Sequence, residues 1–383
     1  MRPWKTLVSA TLFSGLLIGS SVLPAAAQEI APSTSSNWSE HPVFVQGNDP
    51  KGNSVLAYRR AANGALSLAA TYPTGGDGGH IDGAKVDPLA SQGSLIYDAD
   101  HDLLIGVNAG SGTSNGSIYA FHVDGATLDQ RQVLDSGGTL PVSLAHHGDL
   151  VYVLNAGGSG SVQGYRIAGG RLEPIANSNR SLDLKSITGP QFLNTPGQVG
   201  FTPDGDQLIV TTKANGSHID VFHVHPSGRL SHAPVVNNSA TLVPFGFVFD
   251  PFGRLVVGEA GMSDVSTYVV HDNGTLTSIG SATDSQAALC WIDRVGQTYF
   301  VSNAGSGSVS SFRLDAGGHP TLGTTIAVGA GTIDLDHSAD GRFLYVELGG
   351  NGSVGELSVD GAGHLSLIGT VATSPTQEGI VAL

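Results

Sequence analysis

A glycine-rich phrase returns along this chain at nearly even steps. It reads "NAGSGTSNGSIYAF" to Phe121, "NAGGSGSVQGY" to Tyr165, "NAGSGSVSSF" to Phe312 and "LGGNGSVGEL" to Leu357. The aromatic or apolar residue closing each copy falls at Tyr58, Phe121, Tyr165, Phe222, Tyr268, Phe312 and Leu357, with steps of 63, 44, 57, 46, 44 and 45 residues. A repeat of about 45 residues is one supersecondary unit that buries its apolar face only by stacking on its neighbours. Seven copies with two insertions therefore specify an all-β, seven-bladed β-propeller.

The grammar inside a copy supports this. In Gly197–Leu230, "GQVGF" is a short apolar strand, "TPDG" a tight turn, "QLIVTT" a second strand and "KANGS" a loop. "HIDVFHV" follows as a third strand with period-two alternation, and "HPSG" turns into a fourth. Glycine makes up 54 of 383 residues, as many tight turns require. The first copy starts at "HPVFVQ", which corresponds to a second strand, while "EGIVAL" at Glu378–Leu383 reads as an inner strand with nothing after it. The ring is thus expected to close by Glu378–Leu383 becoming the innermost strand of the first blade. The other inner strands are expected at Gln92–Asp98, Val142–His147, Gly197–Thr202, Phe245–Asp250, Gln286–Ile292 and Thr332–Asp336.

Residues 1–27 carry Arg2 and Lys5, an apolar run and the small triplet Ala25–Ala27. This pattern is that of an export signal cleaved before Gln28, giving a secreted or periplasmic protein. Residues 28–40 read as a flexible leader and 41–383 as the propeller. Without Arg2 and Lys5, 15 basic residues face 32 acidic ones, a charge of −17. That charge disfavours nucleic acid and anionic membrane as partners; a small-molecule ligand and a monomer are expected. Cys290 is the single cysteine, so no internal disulfide forms.

No nucleophile elbow, zinc-binding helix motif or phosphate loop is present, and neither a cofactor motif nor a metal-ligand cluster is evident. Candidates come from position. Gln92, Gln198, Gln286, Asp334, Gln377 and Glu378 stand where inner strands begin and should ring the channel mouth. There they would bind a polar ligand or hold ordered water between blades. Asn108, Asn155, Lys213, Glu259, Asn303 and Glu347 stand where second strands end. The asparagines suit turn caps. Glu259 and Glu347 suit a general acid or base, or a solvated rim. Lys213 suits an oxyanion or a substrate carboxylate, or an ion pair. The insertions Gly75–Ala90, which carries His80 and Asp82, and Ser181–Asn194 precede inner strands and should line the same face. Cys290 and Trp291 suit packing; His146 and His147 fall at the opposite end and read as structural.

"TPDGDQLIVTTKANGSHIDVFHVHPSGRL" and "ADGRFLYVELGGNGSVGELSVDGAGHLSL" resemble blades of the lactonase family of seven-bladed propellers, which includes propeller-type 6-phosphogluconolactonases and carboxymuconate lactonizing enzymes. The resemblance spans roughly Pro42 to Leu383. It implies hydrolysis of a lactone or sugar-derived ester at the channel mouth, with water activated by Glu259 or Glu347, which resemble the family's N-E-L glutamate but lie in other blades; in the matching blade that position is Thr212. The family's G-P-R-H inner strand reads "TPGQVGFTP" here, so Gln198 stands in the histidine region and the arginine is missing. A non-catalytic binding or scaffold propeller is the alternative.

Overall fold

The computed structural model describes residues 38–110, 115–185 and 191–383. Among these, seven sheets radiate from a common axis, six of four strands and one, the third blade, with a short fifth. Among the described residues the one helical element is the single turn Gln191–Asn194. Six of the expected inner strands appear at Leu95–Asp98, Pro141–His147, Val199–Phe201, Pro244–Phe249, Leu289–Val295 and Thr332–His337. The "TPDG" turn forms as read: the Gly205 amide donates to the Thr202 carbonyl at 2.8 Å, and Gly205 adopts a φ of 77° that a side chain would strain.

The seventh inner strand is Ile380–Ala382, and it does close the ring. It lies antiparallel to Trp38–Gln46, with Val43 opposite Ala382, Phe44 opposite Val381 and Val45 opposite Ile380. Trp38, expected in the leader, already pairs with Ala61, so strand pairing begins before residue 41. The export signal and residues 28–37 lie outside the described residues.

Burial falls off radially. The second strands Leu103–Asn108, Thr298–Asn303 and Phe343–Leu348 are buried along their full length, having strands on both edges and blades on both faces. The outermost strand Leu365–Ala372 is mostly exposed. Between blades the core is apolar with a polar tip reaching across. Tyr345 donates to the Gly64 carbonyl at 2.8 Å and Tyr58 to the Ala372 carbonyl at 3.0 Å, so the seam between the last and first blades is tied in both directions. Val43, Val45, Tyr58, Phe343, Tyr345 and Ile380 form one cluster there.

Phe44 is fully buried beneath the closing strand. Phe44→Ala is expected to cost ~3–5 kcal/mol, read as a lower urea midpoint with unchanged slope.

Candidate functional site

The insertion Gly75–Ala90 does not rim the mouth; it covers it. Ile81, Leu89 and Ala90 are buried in the core of the second to fourth blades, and Val86 packs against the cluster holding Leu348 and Val328 on the far side of the axis. The segment is therefore a strap. Its glycines are needed because backbone meets backbone. A Cβ on Gly78 would stand 2.1 Å from the Asn48 carbonyl, and one on Gly349, in the "ELGG" turn beneath, 1.8 Å from the Val86 oxygen. Asn48 clasps the strap by donating to the Gly79 carbonyl at 2.9 Å and accepting from its amide at 2.8 Å.

After Ala90 the chain dives into the channel, which is why the second blade's inner strand starts at Leu95 rather than Gln92. The Gln92 amide crosses the axis to the sixth blade, donating to the Ile292 carbonyl at 2.9 Å and accepting from its N–H at 3.0 Å. Trp291 donates its indole N–H to the Ser91 carbonyl at 2.8 Å. Gln198 makes the same double bond to Phe247 in the next blade. Both glutamines thus complete backbone ladders at the axis.

Buried beneath the strap are Asp87, Glu347, Glu378 and Lys213, with residue exposures of 9, 0, 0 and 1%, and Asp334, 4% exposed, stands below them at the inner end of the channel cavity. Lys213 Nζ donates to the Ala90 carbonyl at 2.5 Å and to Thr195 at 2.9 Å. Burial pulls its ammonium down to about 8 against the attraction of Asp87 and Glu378. Burial also drives Asp334, Glu347 and Glu378 well above the usual carboxylate range; repulsion from Asp336 and Asp87 adds to the rise of Asp334, from Asp334 and Asp87 to that of Glu347, and from Asp87, Glu347 and Asp334 to that of Glu378. Cys290, nearby, is held as a thiol by burial.

Other expected mouth residues are elsewhere. Glu259 turns away from the axis and binds Tyr268, Ser239 and both the amide and hydroxyl of Thr241. Gln286 accepts from Ser308 at 3.2 Å, tying its inner-strand approach to the third strand of the same blade, and Gln377 donates to the Ser353 carbonyl at 2.6 Å, tying the approach of the closing strand to the third strand of the seventh blade. The asparagines are cross-strand ties as well: Asn303 donates to Ser308 and Ser310. His80 is exposed on the outer side of the strap.

The channel opens at the other end. A cavity of about 480 Å³ runs from Gln92 and Gln198 to the ends of the inner strands, lined by His146, Asp293, Asp336 and His337 among others. His337 Nδ1 lies 2.6 Å from Asp293 Oδ2 and 3.7 Å from Asp336 Oδ1. Burial depresses the imidazole, but its hydrogen bond to Asp293 and the charges of Asp293 and Asp336 outweigh this and lift it to about 9. Burial, reinforced by Asp293, raises Asp336 to about 7; its side chain keeps 30% exposure. The Asp336 oxygens accept from the amides of His337 at 2.9 Å and Ala382 at 2.8 Å, so the closing strand orients this carboxyl. Asp293, Asp336 and His337 are also a set able to hold a metal ion, with ligand atoms within 4.8 Å of one another. Sequence reasoning missed this end, although "WIDRV" and "DLDHS" place an acid at the same point of successive inner strands.

No family model and no curated protein sequence matches the chain. Solved structures do. A candidate 6-phosphogluconolactonase from Bacteroides fragilis aligns over 92% of this chain and 100% of its own, with 19% identity and a TM-score of 0.71. The periplasmic gluconolactonase of Pseudomonas aeruginosa aligns over 90% and 99%, with 19% identity and a TM-score of 0.71. A Lactobacillus plantarum protein aligns over 90% and 99%, at 22% identity and a TM-score of 0.69. The fold is thus that of a lactonase-like propeller.

Because Glu259 accepts from four donors in a buried knot, Glu259→Ala is expected to destabilise the protein by ~1–3 kcal/mol in urea unfolding. It should leave ligand binding at the channel unchanged.

Proposed function

We propose that this chain is a lactone hydrolase that works in the open end of the channel through Asp336 and His337. The observation that carries the reading is the pairing, in one cavity, of a carboxyl raised to about 7 with an imidazole raised to about 9. Groups with pKa values pushed to either side of the working pH are what general acid–base catalysis requires. The fold likeness to lactonases supports the substrate class by analogy.

In this mechanism the Asp336 carboxylate takes a proton from water as its oxygen attacks the lactone carbonyl. The His337 imidazolium donates a hydrogen bond to the developing oxyanion, then gives a proton to the ring oxygen as the acyl–oxygen bond breaks. The product is the open hydroxy acid. Asp293, 2.6 Å from the ring nitrogen, fixes the imidazole's orientation and charge. Each proton-transfer role contributes ~10²–10⁴-fold. The substrate is expected to be small and unphosphorylated, since the described cavity lining includes no lysine or arginine.

Hydrolysis of a panel of unphosphorylated sugar lactones, corrected for spontaneous opening, tests this. The base must be ionised and the acid protonated. kcat/KM should therefore rise through pH 7 and fall through pH 9, as apparent values of the coupled pair. Asp336→Asn should lower kcat/KM at least ~10²-fold. Unchanged turnover in Asp336→Asn and His337→Gln would sink the reading. A bound sugar recovered unaltered after long incubation would instead favour a binding propeller.

The proposal places the enzyme outside the cytoplasm, supported by Arg2, Lys5, the apolar run and Ala25–Ala27. Amino-terminal sequencing of the mature protein is expected to begin at Gln28.

A further inference from the structure

We infer that a second cavity, outside the channel and between the third and fourth blades, binds a small organic cation: an ammonium group held by Asp220, with its hydrocarbon body on the aliphatic wall beside it. The cavity measures about 870 Å³, within the range of small-molecule sites. It opens where the outer edges of the two blades are cut short. The outermost strand of the third blade is the four-residue Arg171–Pro174, followed by the two-residue Arg180–Ser181, and that of the fourth is the four-residue Val235–Asn238. The corresponding strands Leu66–Pro73, Leu276–Thr283 and Leu365–Ala372 run for eight residues. The start of the second insertion, Ser181 to Lys185, borders the gap. Asn215 holds it there, donating to the Lys185 carbonyl at 2.9 Å and accepting from its amide at 3.2 Å.

Asp220 is the group that lacks a partner. It lies on the third strand His218–His223, two residues before Phe222, the closing residue of its repeat. Side chains two apart share a face of a strand, and Phe222 packs in the core shared with the third blade, so Asp220 faces that blade. At the same register four other blades place neutral side chains, each with a partner. Tyr119 donates to Gln46 at 2.7 Å and Gln163 to Ser178 at 2.7 Å, while Ser266 and Ser310 pair with Ser281 and Thr325 at 2.8 Å each. Asp220 is 3% exposed and lines the cavity, and its Oδ1 has no hydrogen-bond partner. A buried acceptor left unpaired is costly. Burial pushes its carboxyl up to about 7, with no neighbouring cation to draw it back.

The surroundings select the ligand. Arg180, at the rim, spends its guanidinium on the carbonyls of Asn177, Asn179, Leu230 and Ser231. Lys185 is exposed and, like His218 and His232, does not offset the charge of Asp220. Asp183 adds a second acid, accepting from Ser181 at 2.7 Å. The rest of the wall is aliphatic, from Leu182, Leu184, Pro234 and Val236. Val236 stands directly opposite Asp220 in the strand pair, hence on the same face and about 5 Å away between Cβ atoms, and it is 56% exposed. An acid without a partner beside uncovered hydrocarbon fits a cation with an apolar body. The ammonium supplies the missing donors and charge, and the hydrocarbon covers Val236. The acidic balance of the chain, 32 Asp and Glu against 17 Lys and Arg, also draws cations.

Pentylammonium, pentan-1-ol and pentanoate share one shape and differ in charge. Calorimetric titration of the whole protein with each, at pH 8 where the Asp220 carboxyl is ionised, tests the inference. Pentylammonium is expected to bind at least ~10-fold more tightly than the other two. Asp220→Asn keeps the shape and removes the charge; it should weaken pentylammonium ~10-fold or more and leave the urea midpoint unchanged or higher, because the carboxyl ties nothing together. Val236→Lys, at an exposed position, tethers an ammonium opposite Asp220 and should block binding while Asp220 stays in place. Absence of pentylammonium binding, equal binding of pentan-1-ol, or an affinity untouched by Asp220→Asn overturns the inference. So does a lowered midpoint in Asp220→Asn with ligand preference retained, which would make the residue structural, or glucose binding through Asp220 in place of the amine.

Discussion

The antiparallel pairing of Ile380–Ala382 with Val43–Val45 is the contact on which the rest of the structure depends. In a stacked-repeat architecture each unit touches only its neighbours, so a ring exists only if the last unit is fastened to the first. Here the fastening is made three times over: by the strand ladder, by the shared apolar cluster of Tyr58, Tyr345 and Ile380, and by the two tyrosine hydroxyls that cross the seam in opposite directions. The chemistry at the axis inherits this. Gln92 meets Ile292, and Asp336 meets the amide of Ala382; segments so far apart in sequence share a site only in a closed ring.

The architecture was legible because its signal is local and repeated. A turn such as "TPDG" and a run such as "HIDVFHV" say the same thing in every blade, and their period counts the blades. The direction of a single side chain at the end of a strand is not repeated, and there sequence reasoning lost its grip. Glu259 in "VVGEAG" and Glu347 in "YVELGG" look equivalent, yet Glu259 leaves the axis and Glu347 faces it. The cause lies one strand away. In the fifth blade the closing residue of the repeat is Tyr268, whose phenol captures Glu259; in the seventh it is Leu357, which has nothing to donate. The strap was legible as an insertion on the correct face. Its path across the axis depended on close backbone approach at Gly78 and Gly349, which only the three-dimensional structure supplies.

The two ends of the axis show how environment assigns roles to one residue type. Asp334 and Asp336 stand two residues apart on one inner strand, hence on one side of its pleat. Asp334 is enclosed beside Gly93 and driven far up. Asp336 opens onto the channel cavity beside an imidazole and is raised only to about 7. A distance of two residues separates a carboxyl kept from ionising from one poised to exchange protons.

The double hydrogen bond from Gln92 to Ile292 acts as a spoke across the wheel. Neighbouring blades in a ring can slide and let the circle flatten into an ellipse, widening the bore along one diameter while narrowing it along another. A tie between the second and sixth blades, reinforced by the indole of Trp291 on Ser91, fixes one diameter. The bore is thereby held to a set calibre, so that what enters from the open end is sized by a rigid ring rather than by one that breathes.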